Sequence, residues 1–173
     1  MTSILKVDNI QSSGGTAALS IDSSGRILTP ANPKFSVHLA TMGSSADYTT
    51  TTDLPLDTID FNIGSCVAIS SSVATFTAPI TGYYQFNLVA SFGNTGSASH
   101  VNTFLFIDGA FSSDSNLDYR NIEDPQSGSY ITLSTSALIY LTATQTVNPQ
   151  IYVTGDTSVQ VRAGSRFSGY LVG

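Results

Sequence analysis

The sequence predicts an all-β protein, a β-sandwich or jelly roll of about eight to ten strands joined by short polar turns. From residue 34 onward, apolar and polar residues alternate in most segments, as in strands with one buried face. The chain is also rich in Val, Ile, Thr, Phe and Tyr, which favour strands. No segment shows a convincing helical period. Together these patterns favour a sandwich over any helical architecture.

Charge is scarce: charged residues make up 10% of the 173-residue chain, whereas 41% of it is apolar. A monomer usually needs more surface charge for solubility, so the sequence predicts an oligomer. The six basic side chains are scattered among twelve acidic ones, which argues against nucleic-acid binding. Neither a signal peptide nor an apolar run of membrane-spanning length is found, so we expect synthesis in a cytoplasm without membrane insertion.

The alternating segments divide the chain into predicted strands. Asp108 and Gly109 follow one of them and form a strong hairpin signal. Pro79 and Gly82 predict the turn that leads into the longest strand. The predicted strands are 35–40, 73–79, 83–92, 101–107, 130–133, 137–141, 150–153, 158–162 and 167–172.

Residues 1–32 form a separate amino-terminal segment, with a domain of residues 33–173 behind it. Its short apolar pieces are separated by the turn signals 12–15 and 23–25. Such small strands are not stable alone, so the segment is either a flexible leader or packs against copies of itself or a host structure. Its regular turns and apolar positions favour packing. Pro30 and Pro33 predict a stiff boundary.

Several motifs of the larger domain resemble the globular head of the complement one-q family, which is related to tumour necrosis factor. The run Phe76-Thr-Ala-Pro-Ile-Thr-Gly-Tyr-Tyr-Gln-Phe86 is similar to the segment that leads into that family's central strand. The element 59–62, the strand 104–109 and the closing strand 165–171 resemble further family elements in the same order. The resemblance covers residues 35–173 and implies a ten-strand jelly roll that assembles as a homotrimer.

The central strand carries apolar or aromatic residues at almost every position near Tyr83 and Tyr84, more than one face can bury. We therefore expect one face to line the sandwich and the other to face the threefold axis, and we place Tyr84 at that interface. Gly169 is expected to let a ring or backbone approach closely. The residues predicted for the trimer interface and core are Tyr83, Tyr84, Phe86, Leu88, Phe167 and Tyr170.

The start of the chain resembles the short modules that open many tailed-phage fibre and collar proteins, through Thr2–Ile10 and Ile21–Ile27. This resemblance implies an attachment arm on a virion. The predicted docking residues are Ile4, Leu5, Val7 and Ile10. No Gly-X-Y repeat precedes the head, which argues against a secreted complement-type protein.

Sites for chemistry are few in this sequence. His38 and His100 lack metal-ligand spacing, and Cys66 is best interpreted as a small buried hydrophobe. Two groups of side chains would offer oxygen ligands for calcium, although solvated turns explain them better. They are Asp53, Asp57 and Asp60, and Asp108, Asp114, Asn116 and Asp118. No other cofactor is expected.

Two functional classes follow. In the first, a non-enzymatic trimer decorates a phage particle, with the arm bound to a capsid, neck or tail protein. In the second, loops at a fibre tip bind a host-surface receptor or glycan. Tyr119 and Arg120 are the candidate contact residues, because aromatic rings stack on sugars and guanidinium groups donate directional hydrogen bonds. An enzyme would need paired carboxylates across a groove, and the acids here lie in turns.

Overall fold

The computed structural model describes residues 7–108, 120–125 and 130–172. These residues contain fifteen strands and no helix, which confirms the predicted all-β class. Consequently none of them belongs to a helix that could cross a membrane. All strand pairs are antiparallel, and the strands form three sheets.

The first sheet, which we call the arm sheet, consists of β1 (Asn9–Gln11), β2 (Ala17–Ile21) and β3 (Ile27–Leu28). Within the described chain its strands pair only with one another. Tight turns join them, and each contains a glycine with positive φ, Gly15 and Gly25. The predicted turns of the amino-terminal segment are therefore present.

Two six-stranded sheets form the head. The front sheet has the order β12-β9-β15-β4-β6, with β14 paired to the far end of β9. Its strands are β4 (Lys34–His38), β6 (Thr58–Ile63), β9 (Gly82–Gly93), β12 (Tyr130–Leu141), β14 (Gln160–Val161) and β15 (Arg166–Leu171). The back sheet has the order β11-β10-β13-β8-β7, with β5 paired to β13. Its strands are β5 (Thr52–Asp53), β7 (Val67–Ser70), β8 (Val73–Thr77), β10 (His100–Ile107), β11 (Arg120–Glu123) and β13 (Thr146–Thr154).

One apolar core lies between these sheets, because alternate residues of each long strand point inward. Phe35, Phe76, Phe86 and Phe167 form its centre, with ring centroids 4.9–6.4 Å apart in the contacting pairs. Gly169 lies against this cluster. A Cβ atom there would come within 2.7 Å of Phe86 Cδ1, so only glycine fits, as the sequence predicted.

The structure differs from the sequence prediction at several strands. Residues 130–133 and 137–141 belong to one continuous strand, β12, and four strands of the head (β5, β6, β7 and β11) were not predicted. Asp108 does follow the end of β10 at Ile107, but Phe104 already pairs with Arg120 of β11. The connection is therefore much longer than the two-residue hairpin that Asp108 and Gly109 suggested.

Candidate interaction surface

The outer face of the front sheet, which points away from the core, carries a group of exposed apolar side chains. Tyr83 lies opposite Tyr140 in the register, and Gln85 separates Leu138 from Tyr170 in the next row. The rings of Tyr83 and Tyr140 meet edge to face, with centroids 5.0 Å apart. About half of each of the four side chains is exposed. We call Tyr83, Leu138, Tyr140 and Tyr170 the tyrosine patch.

The structure places the six residues predicted for the interface and core on two different faces. Tyr83 and Tyr170 are exposed on the outer face, whereas the other four are completely buried between the sheets. The interface position that we expected for Tyr84 is therefore wrong. Alternation along β9 turns Tyr83 outward and Tyr84 inward, so only one of them can face a neighbouring copy. The four buried residues are Tyr84, Phe86, Leu88 and Phe167.

Tyr84 is compatible with the core because its polar end has a partner. Its hydroxyl donates a hydrogen bond of 2.7 Å to the Ile80 carbonyl oxygen, and its ring packs 5.1 Å from that of Phe76. Burial raises the pKa of the Tyr84 hydroxyl. The sequence shows two adjacent tyrosines but not which of them has this carbonyl within reach.

On β9 and β12, the outer face beside the tyrosine patch carries a polar, uncharged row. Gln85 Nε2 donates to Ser136 Oγ at 2.9 Å, and Ser136 Oγ donates to Asn87 Oδ1 at 3.0 Å. Because these side chains satisfy one another, they can be covered at a smaller cost than isolated polar groups. This row therefore extends the surface on which another molecule can pack.

A charged cluster lies farther along the same face, on β4, β6 and β15. Asp60 accepts a hydrogen bond of 2.8 Å from Ser36 Oγ, and Arg166 Nη1 lies 3.0 Å from the same carboxylate. His38 Nδ1 lies 2.9 Å from Asp60 Oδ1. The Ser36 hydrogen bond, and then the charges of Arg166 and His38, hold the pKa of Asp60 below its ordinary value. His38 is thus part of a cluster around the Asp60 carboxylate.

The acidic side chains proposed as calcium ligands do not converge in the part of the chain that the structure describes, where no group of three metal-binding side chains is found. Asp53 accepts a hydrogen bond from Gln150 Nε2, and Asp57 accepts one from the Ala40 backbone. The Asp108 carboxylate accepts hydrogen bonds of 2.7 Å from Gln145 Nε2 and from the Thr146 backbone. The other three residues of the second group, Asp114, Asn116 and Asp118, lie outside the described residues.

Cys66 and His100 show no catalytic arrangement. Cys66 is 1% exposed, and burial raises the pKa of its thiol to about 11. Asn62 Oδ1 accepts hydrogen bonds from the backbone of Cys66 and Val67 and so holds this turn in place. His100 is an exposed residue at the start of β10.

Of the two candidate contact residues for a ligand, Arg120 is the exposed first residue of β11, and Tyr119 lies outside the described residues. The structure shows another aromatic and arginine pair that the sequence did not single out. The Arg162 guanidinium lies 4.5 Å from the centre of the Tyr130 ring, and Tyr130 is highly exposed. The two are 32 positions apart in sequence, so spacing offers no sign of the contact.

Two of the four predicted docking residues of the arm lie within the described part of the chain. Ile10 is exposed on β1 and Val7 is partly exposed just before it, whereas Ile4 and Leu5 lie outside the described residues.

Two members of the tyrosine patch, Leu138 and Tyr140, were not predicted as surface residues. The apolar residues at every position from 137 to 141 were the available signal, because one face of a strand cannot bury them all.

Comparison with known proteins identifies the architecture of the head. No protein-family model and no curated protein matches the chain. Among solved structures, the globular domain of zebrafish complement 1qA protein matches with a TM-score of 0.59 and 17% identity, covering 82% of this chain and 98% of that one. Murine APRIL at pH 5.0 matches with a TM-score of 0.57 and 11% identity, covering 81% and 98%. At these identities the likeness shows the fold alone. The head has the jelly-roll fold of the complement and tumour necrosis factor type.

Proposed function

We propose that the protein is a non-enzymatic structural component of a tailed-phage particle. It works as a homotrimer of jelly-roll heads that an amino-terminal arm attaches to a capsid, neck or tail protein. The observation that carries the trimer is the tyrosine patch, because exposed aromatic groups on a charge-poor chain indicate a surface that another copy covers. The protein then resides in the virion after synthesis in the host cytoplasm.

The outer face of the front sheet suits packing between identical subunits. Its aromatic end supplies large apolar side chains, and the neighbouring Gln85, Asn87 and Ser136 satisfy one another before any partner arrives. Burying these side chains removes no charge of β9 or β12 from water. The homotrimer that the sequence resemblance implies would bury the tyrosine patch around the threefold axis.

The virion role is supported by the arm. Its opening residues resemble modules of phage fibre and collar proteins, and its sheet forms its hydrogen-bond ladder without the head. A small sheet on a short linker that contains Pro30 and Pro33 is suited to attachment. Three arms on one trimer would also bind a threefold site with a gain in effective concentration.

Deletion of residues 1–32 tests the proposal. We expect the truncated head to remain a soluble trimer by light scattering but to lose association with particles assembled without the protein, measured by co-sedimentation. The full-length chain is the control. A monomeric truncated head would contradict the trimer through the head, and a truncated trimer that still co-sediments would contradict attachment through the arm.

A receptor- or glycan-binding role is the second candidate, and Tyr130 with Arg162 favours it. An exposed ring beside a guanidinium resembles the contacts that proteins use for sugars. Binding of labelled protein to host cells should then fall in Tyr130→Ala without a change in solution mass. Unchanged binding by this variant would exclude the pair as the contact, leaving Tyr119 and Arg120 as the other candidates.

A further inference from the structure

One face of the arm sheet carries four aliphatic side chains, next to the Gln11–Ala17 pair. Ile10 pairs with Leu19 and Ile21 pairs with Ile27, and paired residues of antiparallel strands share a face, as do residues two apart. These four side chains therefore point the same way. Asn9, Ser20 and Leu28 form the corresponding row on the opposite face. We call the first surface the aliphatic face.

Nothing in the described chain covers this face. Ile10, Ile21 and Ile27 are 52%, 41% and 68% exposed, which is unusual for three neighbouring aliphatic side chains. None of the strand residues of the arm sheet is charged. The nearby Asp22 carboxylate already has partners within the turn between β2 and β3. It accepts hydrogen bonds from the Ser24 backbone and from both the backbone and the side chain of Arg26. Asp8 lies beside the face, just before β1, but the strand residues themselves are suited to an apolar partner.

The same face contains both a protrusion and a pocket. Val7, Ile10, Leu19 and Ile21, together with Asp8 and Asn9, line a pocket of about 20 Å³. That volume holds about one water molecule or methyl group. Ile27, the most exposed aliphatic side chain of the sheet, lies on β3, the edge strand opposite β1. In a cyclic assembly, one patch of each copy contacts a different patch of the next copy. Such a contact needs a protrusion and a pocket at different places on the same chain.

The arm joins the head beside the tyrosine patch. The Pro33 carbonyl accepts a hydrogen bond of 2.9 Å from the Leu171 backbone, and Lys34 pairs with Tyr170. The Val172 backbone donates to the Tyr83 carbonyl at 2.8 Å, so the patch and the attachment point occupy the same end of the front sheet. A trimer formed through the patch would therefore start its three arms close together. Their short linkers would hold the aliphatic faces at high effective concentration.

We propose that the aliphatic faces of three arms pack against one another, with Ile27 of each copy in the pocket of the next. This inference rests on the proposed head trimer, which brings the arms together. The occupant is a second copy of this chain, because the surface offers both halves of a cyclic contact and its four exposed or half-buried aliphatic side chains match one another. Attachment to the particle then uses the opposite face of the arm sheet, in place of Val7 and Ile10.

Disulfide cross-linking of the full-length protein tests the proposal. The variant Ile10→Cys/Ile27→Cys places one thiol at the pocket and one at the protrusion. The two positions are two strands apart, roughly 10 Å, which is too far for a bond within one chain. Cys66 does not interfere, because it is buried. Asn9→Cys/Leu28→Cys is the matched control on the same two strands of the opposite face, where the two positions lie on either side of Ser20.

After mild oxidation with copper phenanthroline, we expect the face variant to lose its monomer band on a denaturing gel and form covalent trimers. We expect the control variant and both single variants to remain mostly monomeric. Light scattering of the unoxidised variants measures the oligomeric state of the protein independently of cross-linking. A trimer in solution without face-specific cross-links would overturn the packing of the arms and leave the head trimer standing. A monomer in solution would overturn both proposals.

Discussion

A Cβ atom at position 169 would lie 2.7 Å from Cδ1 of Phe86 and 2.9 Å from Cε1 of Phe35. Both rings are fixed in the centre of the core by their neighbours, so neither can move away cheaply. We expect Gly169→Ala to lower the free energy of unfolding by about 1–3 kcal/mol, the usual cost of adding volume to a packed core.

Gly96→Ala is the matched control for this variant, since a Cβ there meets nothing within 4 Å. Urea unfolding followed by fluorescence would compare the two variants. Equal stability of Gly169→Ala and the wild type would show that the rings relax and that the close approach is unimportant.

The second prediction concerns the trimer. Tyr83→Asp places a charge in the tyrosine patch and should convert trimers to monomers, because burying an unpaired carboxylate costs several kcal/mol in each subunit. Light scattering over a dilution series measures the change. Tyr130→Asp, an exposed tyrosine of the same sheet outside the patch, should leave the mass unchanged. Equal effects of the two substitutions would remove the patch from the interface. Tyr84→Asp is unsuitable as a test, because Tyr84 lies in the core and its loss would unfold the head.

The third prediction is a pH dependence that arises from Asp60. The pKa of this carboxyl is lowered in the folded protein, chiefly by the Ser36 hydrogen bond. A lowered pKa contributes stability above the ordinary carboxyl pKa of about 3.9, and that contribution disappears as pH falls through the folded value. The difference in unfolding free energy between wild type and Asp60→Asn should therefore shrink between about pH 5 and about pH 2. Urea titrations at each pH measure it, and a difference that stays constant over this range would contradict the assignment.

The fourth prediction concerns a hydroxyl pair in the core. Thr103 on β10 and Thr135 on β12 are buried, and their Oγ1 atoms lie 2.9 Å apart across the two sheets. Changing either one to Val leaves the other hydroxyl without its partner, at a cost of about 1–3 kcal/mol. The double variant replaces both with groups of similar shape and should lose less than the sum of the single variants. A double-mutant cycle by urea unfolding measures this coupling, and additive losses would contradict it.

Much of the fold could be predicted from the sequence, and the failures have physical causes. The Phe76 to Phe86 motif and Gly169 were interpreted correctly. Aromatic residues at alternating strand positions, and a glycine inside a strand, can be recognised in the sequence itself. Strand β12 was divided in two because its buried position 135 is a threonine, whose partner Thr103 is not visible in the sequence. Strand β6 was not predicted, and a bulge in its pairing with β4 near Ser36 disturbs its alternation.

The surface was harder to predict than the core. Alternation indicated that β9 has two apolar faces, but the choice between Tyr83 and Tyr84 depends on the Ile80 carbonyl that the Tyr84 hydroxyl reaches. The aliphatic face of the arm depends on strand register, which short polar turns do not determine by themselves. The cluster of Asp60, His38 and Arg166 joins three strands that are distant in sequence.

The hydrogen bond from the Leu171 backbone to the Pro33 carbonyl brings the first and last strands of the head together at one end. Strand β9 runs from that end for twelve residues, roughly 35 Å, before the loop at residues 94–99 begins. The two ends of the head therefore differ for protein engineering. A peptide fused to the carboxyl terminus would crowd the arm, whereas one inserted near Gly96 would project from the opposite end, which makes that loop the preferred site for displaying a foreign epitope.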